Sequence, residues 1–356
     1  LATHTIVGIM VRRREQQKSV LKTYSRYNNL NIRLATFTKS DIDWKKNRIC
    51  AFYMKNNTVK NEIIPFPEII YNRCYMFREK RIHRIEKRSI VYNRTTRFNK
   101  WKIYRILKQS MLKEYLPWTR LYKKKLLHKA IQKSNVIFLK PCIGHQGKGI
   151  YRLERSNDVI KISQDSLPPR YIWDLNDNGF SDKVNRLLKE EQYILQNGIP
   201  LAQINERHFD LRVLVQKNMS GNWGVTNIVS REAYLNYYNT SIFERIHLAE
   251  SFLESMFLAN ELNIVLDTLR SVSVKGAVIL DEKIGPLAEL SLDYSIDIVG
   301  KIWLIEVNGK PQKSIYNSIL SFQERSAVYR NPLEYALFLK NITCWENDEL
   351  DESKNA

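Results

Sequence analysis

The chain is 356 residues long and 44% hydrophobic, with 57 Lys and Arg against 37 Asp and Glu, for a net charge of +20. That length and apolar content suffice for a large core spread over two or three structural units; no apolar run reaches the ~18 residues that cross a bilayer, and the first residues lack a small-residue cleavage pattern, so a cytoplasmic protein is expected. The four cysteines, Cys50, Cys74, Cys142 and Cys344, are scattered without CxxC spacing, which speaks against a zinc site or a disulfide framework and makes them candidate buried hydrophobes.

The charge is uneven: residues 1–135 hold 33 Lys and Arg against 8 Asp and Glu, and the remaining 221 hold 24 against 29. Such asymmetry points to an anionic partner. The basic residues are mixed with many Asn, Ile and Tyr, a blend that coding bias alone produces. Nucleic acid is therefore the weaker reading, behind an anionic substrate or polymer surface.

Residues 5–12, TIVGIMVR, form a β-branched strand, and the basic stretch Arg12 to Asn28 is compatible with a helix. Leu30 to Thr38, Arg48 to Tyr53 and EIIYNRCYMF read as further strands, giving a βαβ-like opening. Arg12 to Arg14 and Lys80 to Arg88 read as solvated charge runs rather than a groove. From Asn99 to Glu114, apolar Trp101, Tyr104, Ile106, Leu107, Met111 and Leu112 recur near helical spacing, and LPWT ends the helix. Lys100 and Lys102 lie at its start. A second helix runs from Lys123 to Gln132.

Val136 to Leu139 is a strand closed by Lys140, and Gly144, Gly147 and Gly149 follow in a loop before a returning strand at Ile150 to Leu153. These glycines permit positive φ and let backbone N–H groups close over an anion. No helix follows, which excludes the P-loop and the dinucleotide fingerprint. A lid over nucleotide phosphates, with Lys140 as a point charge, competes with a plain flexible hairpin. A helical stretch is expected over Asp182 to Glu190 and a strand over Tyr193 to Gln196, broken at Asn197 and Gly198.

In HFDLRVLVQK, alternation places Asp210 and Arg212 on one polar face. Arg212 on a rigid strand suits forked phosphate binding, or the two residues pair with neighbours. Arg231, in the next hairpin, is a second candidate cation. His208 lacks a His or Cys at ligand spacing. A long helix is expected over Ser241 to Leu266, and a closing helix over Pro332 to Cys344 with a charged, frayed tail at 346–356.

The stretch Glu289 to Pro311 carries the densest chemistry. Asp293 to Asp297 and Ile302 to Val307 read as a hairpin turning at Gly300. Glu306 and Asn308, one residue apart, face the same side, which Asp293 on the partner strand also reaches. Two carboxylates and an amide carbonyl form a hard oxygen set suited to Mg²⁺; the alternative is ordinary solvated surface.

Order joins these signals: lysine before a helix, lysine closing a strand into a glycine loop, a broken strand, an Asp/Arg strand, then Asp, Glu and Asn. Through FNKWKIYRIL, LPWT, FLKPCIGHQGKGI, YILQNGIPL, FDLRVLVQK, WGVTNIVSRE and IWLIEVNGKP, the sequence resembles the YheC/YheD-type endospore coat-associated proteins of the ATP-grasp superfamily. The likeness covers roughly residues 90–320, and TIVGIM and PFPEIIYNR also resemble that family's N-terminal part. It implies an α/β (α+β) ATP-grasp fold, with a pre-ATP-grasp domain at 1–98 and the ATP-grasp domain at 99–345.

By this resemblance, ATP and Mg²⁺ are the expected ligands. Lys100 and Lys140 look like the ATP-binding lysines, and the flap with Gly144, Gln146, Gly147 and Gly149 looks like the phosphate lid. The hinge under adenine would be Gln192 to Asn197, including Tyr193, Ile194 and Gln196. Arg212, aided by Arg231, would hold the transferred phosphate, and Asp293, Glu306 and Asn308 the magnesium. The implied reaction phosphorylates a carboxylate that an amine then attacks, with a peptide or an anionic envelope or spore component as acceptor. Gly309 and Lys310 depart from the small polar residues of many such ligases. A coat-associated nucleotide-binding protein without turnover and a nucleic-acid binder are the alternatives.

Overall fold

The computed structural model describes residues 5–75, 79–144, 146–188 and 192–352. It is built on three sheets. The first holds β1 (Thr5–Met10), β2 (Ile32–Phe37), β3 (Ile42–Asp43), β4 (Arg48–Lys55), β5 (Thr58–Pro65), β6 (Ile69–Asn72) and β7 (Ile90–Tyr92), in the order β3-β4-β2-β1-β6-β7 with β5 on β4. Strands β2, β1, β6 and β7 are parallel, and helix α1 (Glu15–Arg26) makes the crossover from β1 to β2, as the βαβ pattern requires. The β4–β5 hairpin was not legible in the sequence. Its turn uses Asn56 and Asn57, both at positive φ, while β5 is largely exposed and so shows little apolar alternation. Helix α2 (Glu79–Glu86) precedes β7; in the Lys80–Arg88 run, His83, Arg84, Lys87 and Arg88 are exposed, and the side chains of Lys80 and Arg81 lie outside the described residues.

The second sheet is antiparallel and follows α3 (Lys100–Lys108). It comprises β8 (Thr119–Leu121), β9 (Val136–Pro141), β10 (Tyr151–Ser156), β11 (Val159–Ser163), β12 (Tyr171–Asp174) and β13 (Tyr193–Asn197), in the order β12-β11-β10-β9-β13-β8. Helices α4 (Lys124–Lys133) and α5 (Phe180–Leu187) cover one face, burying Leu127, Ile131, Phe180 and Val184 against Ile137, Leu139 and Leu195. The opposite face is left to the cleft. α3 stops sooner than expected because Ser110 leaves the helix and its Oγ accepts from Leu112 N at 3.2 Å, starting a 3₁₀ turn over Met111–Tyr115. The helix expected to reach Glu190 ends at Leu187, and Lys189 to Glu191 lie outside the described residues.

The third sheet holds β14 (Gln203–Ile204), β15 (Arg207–Lys217), β16 (Trp223–Ala233), β17 (Phe243–Leu248), β18 (Glu289–Ile296) and β19 (Ile302–Asn308), ordered β17-β16-β15-β18-β19 with β14 on β15. Alternation sorts its faces. Phe209, Leu211, Val213 and Val215 of β15, with Leu290, Leu292, Tyr294 and Ile296 of β18, pack on a helical layer, while Asp210, Arg212, Ser291 and Asp293 face the other way.

That helical layer corrects the expected Ser241–Leu266 helix. Phe243 to Leu248 pair with β16 as an edge strand; then come α6 (Ala249–Leu253) and α7 (Ala259–Ile284), which ends at Gly285 with φ +116°. Short apolar runs do not separate strand from helix by spacing, and here sheet pairing decides. The closing helix α8 spans Phe322–Glu352 with Pro332 inside it, not at its start. A capping box starts it: Ser321 N donates to Glu324 Oε2 at 2.7 Å and Glu324 N to Ser321 Oγ at 3.3 Å. The expected tail is thus helical to Glu352, and residues 353–356 lie outside the described residues.

α8 and the turn before it tie the first sheet to the third, packing Leu333, Val328 and Tyr316 with Val7, Ile69, Tyr71, Leu214 and Val229. Among the cysteines, Cys74 and Cys142 are buried free thiols and Cys50 is half-buried, hydrogen-bonding Asn61. The side chain of Cys344 lies outside the described residues.

Candidate active site

The floor of the site is the polar face of β15, β16, β18 and β19. Cross-strand register sets Arg212 opposite Asp293, Asp293 opposite Glu306, and Ser291 opposite Asn308. Arg212 donates to both Asp293 oxygens, from Nε at 2.8 Å and Nη2 at 2.7 Å. Arg231 grips Asp210 with both donors and reaches Asp293 Oδ2 at 3.2 Å, and Asn308 Nδ2 donates to the same oxygen at 3.3 Å. Thr240 Oγ1 donates to Asp210 at 2.6 Å. All four charged groups are at most 7% exposed.

Burial raises the Asp293 carboxyl, but the guanidinium charges of Arg212 and Arg231 outweigh it and hold the group below the ordinary range. At Asp210 burial prevails over Arg231, with repulsion from Asp293 adding to it, so that pKa rises. The network keeps two cations fixed on the floor, each already matched by acid.

The opposing wall belongs to the second sheet. Lys140 is the penultimate residue of β9, and its Nζ donates to Gln196 Oε1 at 2.6 Å, while Gln196 Nε2 donates to Thr119 Oγ1 at 3.2 Å. Burial brings the Lys140 pKa down to about 8, against the pull of Glu306. Lys100, in the first turn of α3, pairs with Glu306 Oε1 at 2.7 Å. Asn99 caps that helix, its Oδ1 accepting from Lys102 N at 3.0 Å, which turns Lys100 inward and leaves Lys102 exposed. Of the two lysines, the structure brings only Lys100 to the Glu306 side of the cleft.

Lys140 and Glu306 share a cavity of about 620 Å³ between the sheets, which Phe138, Ile150, Asp210, Arg231 and Asp293 also line, and a tight slot of about 40 Å³ that includes Lys100 and Ile194. Gln196 and Asn197 at the end of β13, with Gly198 and Ile199 just beyond it, line the first. Of the expected hinge, Gln192 to Asn197, the structure thus brings Gln196 and Asn197 to the cavity and Ile194 to the slot. Gln192 and Tyr193 carbonyls already accept from Cys142 N at 2.7 Å and Tyr122 N at 2.8 Å, so this backbone serves the sheet. The Tyr193 ring lies under the flap instead, its hydroxyl 3.2 Å from where a Cβ on Gly149 would be.

The flap turns at Gln146, Gly147 and Gly149, all at positive φ. A Cβ on Gly147 would fall 2.0 Å from Asn239 Nδ2, so glycine is needed for the close approach of flap to floor. Gly144 and Gln146 line a third cavity, of about 1020 Å³, which Arg212, Glu306 and Asn308 share. Phe138, Ile199, Tyr238 and Asn239 also line the cleft. Sequence reading passed over them, because an apolar or amide side chain at a cavity edge has no motif of its own. His208 also lines the 620 Å³ cavity, where burial lowers its pKa.

The donor chemistry fits magnesium. Glu306, Asn308 and Asp293 supply oxygens from paired strands, and Ser291 Oγ beside Asn308 is buried without a hydrogen-bond partner. Among the described residues no group of three or more His, Cys, Asp or Glu converges as a metal site, so the amide and hydroxyl oxygens are needed to complete such a set.

A family model for YheC/D-like ATP-grasp proteins matches residues 89–339. The chain belongs to that family. It is 25% identical over 327 residues to the endospore coat-associated protein YheC of Bacillus subtilis, covering 86% of this chain and 88% of the relative. Among solved structures, N5-carboxyaminoimidazole ribonucleotide synthetase in complex with ADP superposes with a TM-score of 0.57 at 12% identity, over 93% of this chain and 77% of that one. D-alanyl-alanine synthetase A of Vibrio cholerae gives 0.52 at 13% identity, over 87% and 89%. These likenesses show the ATP-grasp fold. This YheC/D-like protein sets its glycine flap and Lys140 over the acidic β18–β19 hairpin. Among the described residues no helix is long and apolar enough to cross a membrane.

Proposed function

We propose that the protein is an ATP- and Mg²⁺-dependent carboxylate–amine ligase. The observation that carries this reading is the shared cavity in which Lys140 faces Glu306 across two sheets. Lys100 and Lys140 would hold the nucleotide phosphates as point charges. Arg212, with Arg231 behind it, would meet the phosphoryl group in transfer, and the flap would cover it and exclude water. Glu306 and Asn308, with Asp293 and Ser291 beside them, would hold magnesium, which when bound neutralises phosphate charge. Each carboxylate already has a cationic partner, so loading requires Lys100 to leave Glu306 for phosphate.

In the reaction, the acceptor carboxylate attacks the γ-phosphorus, the bond to the β,γ-bridging oxygen breaks and ADP leaves. The amine then attacks the acyl carbon, loses a proton, and phosphate departs. No protein nucleophile is needed; alignment and fixed charge do the work. The test is ADP release with ATP, Mg²⁺ and a panel of acidic acceptors. Turnover is expected with the native chain and its loss in folded Glu306→Ala. Turnover retained in that variant would defeat the reading.

The full matching of Arg212 and Arg231 by acids favours a second reading, a nucleotide-binding protein without turnover; ATP binding with no ADP release across the panel would select it. The names of the relatives support a proposal that the protein associates with the spore coat, starting from the cytoplasm, and its absence from coat extracts of its own host would count against that. A nucleic-acid role for the basic first third predicts affinity falling steeply with salt, and a flat titration removes it.

A further inference from the structure

The 1020 Å³ cavity extends past the hairpin, away from the nucleotide side. There the turn between β1 and α1, the residue after β6 and the residues after β19 bring Arg12, Arg73, Lys310 and Lys313 to one wall. The charges on this wall do not balance. Arg73 and Lys313 share one carboxylate, Glu289, at 3.2 and 2.6 Å. Among the described residues the Lys310 and Arg12 side chains have no acceptor. Lys310 is half-buried; Arg73 and Arg12 repel it, and the charge of Glu289, already shared by Arg73 and Lys313, offsets that in part. The acids lining the cavity do not relieve it: Glu306 is taken by Lys100 at 2.7 Å, and Asp165 accepts from Asn239 at 2.9 Å.

Four cations set against one carboxylate in a concave wall favour a further anion there, since the half-buried Lys310 otherwise has no acceptor of its own among the described residues. The neutral side chains between them, Gln16, Ser19 and Asn317, can also donate to it. We infer that this wall seats a second anionic group of the acceptor, held by Lys310, Arg12 and Arg73, so that the substrate is at least a dicarboxylate such as an acidic peptide. The inference rests on the ligase reading for the word acceptor. It deepens that reading, because the carboxylate to be activated lies at the Arg212–Glu306 side of the same cavity. The basic first third of the chain, which supplies Arg12 and Arg73, thereby gains a role as one half of a substrate site.

The test is calorimetric titration of the full chain with L-glutamyl-L-glutamate and with L-glutaminyl-L-glutamine, which matches it in size and terminal carboxylate. Both are measured with and without a nonhydrolysable ATP analogue and Mg²⁺, and the analogue is also titrated alone. The acidic dipeptide is expected to bind at least tenfold more tightly. That preference should shrink to within twofold in Lys310→Gln and in Arg12→Gln, the second being an exposed position where folding is not at issue. It should survive in Lys133→Gln, which removes an exposed charge far along the chain. Equal binding of the two dipeptides overturns the inference, as does equal loss in all three variants. Absence of analogue binding would instead defeat the ligase reading, leaving the dipeptide comparison to judge the anion site by itself.

Discussion

Replacing Glu289 with glutamine should uncouple the first sheet from the third. Glu289 is fully buried and accepts from Lys313 Nζ at 2.6 Å, Gln216 Nε2 at 3.1 Å, Arg73 Nη1 at 3.2 Å and the Tyr71 hydroxyl. The Lys313 and Glu289 side chains are 2% and 1% exposed, so water does not screen the pair. Removing one member of such a pair costs about 3–5 kcal/mol, because the other stays buried without its counter-charge. With a denaturant slope of about 3 kcal/mol per molar, the urea midpoint should fall by roughly 1–2 M.

The pH dependence adds a sign. Burial lowers the Lys313 pKa to about 7 from 10.5 even with Glu289 present. The penalty of the buried ammonium is therefore present below pH 7 and relieved between 7 and 10.5, and native stability rises with pH over that window. Without Glu289 the Lys313 pKa drops further and relief begins earlier. The gap between native and variant is thus widest on the acid side and narrows as pH rises to about 7. Urea titrations at pH 6 and pH 8, followed by tyrosine and tryptophan fluorescence, read this directly, and adding Lys313→Met should recover part of the loss at pH 6. A loss under about 1 kcal/mol, or a gap that is the same at both pH values, would refute the reasoning.

Free Lys140 loses its proton near pH 8, so ATP affinity should fall by up to about tenfold per pH unit above that; Lys140→Arg, which stays charged, should flatten the profile. Lys100→Ala is expected to weaken ATP binding at least tenfold and Lys102→Ala less than twofold, both read by titration with a fluorescent ATP analogue; equal effects would contradict the inward turn of Lys100. Gly147→Ala sets a Cβ against Asn239 in a backbone at φ +68°, and should weaken nucleotide binding while leaving the melting temperature within a few degrees, as read by scanning fluorimetry.

What the sequence discloses follows the range of the interaction. The β18–β19 hairpin is legible because alternation, Gly300 and the short separation of Glu306 and Asn308 all act locally. Lys140 is legible as a lysine near the end of an apolar strand before glycines, though the strand runs on to Pro141. The α7 layer is not, because Phe243 to Leu248 become a strand only by pairing with β16, a contact no local spacing reports. The same limit hides which carbonyls at β13 are already taken by Cys142 N and Tyr122 N.

Charge pairing is the least legible part. Arg212 meets Asp293 across 81 residues and Glu289 meets Arg73 across 216; the sequence offers the first two as candidate ligands and gives no sign of the second pair. The pairing separates them by task. Asp210, Asp293 and Glu289 have already found cations, and so fix the floor and join the sheets. On the wall beyond the hairpin, Lys310, a departure from the family pattern, and Arg12, read as part of a solvated run, have no acceptor among the described residues. Charge balance, not motif, is therefore what singles out the wall proposed for a second acidic group.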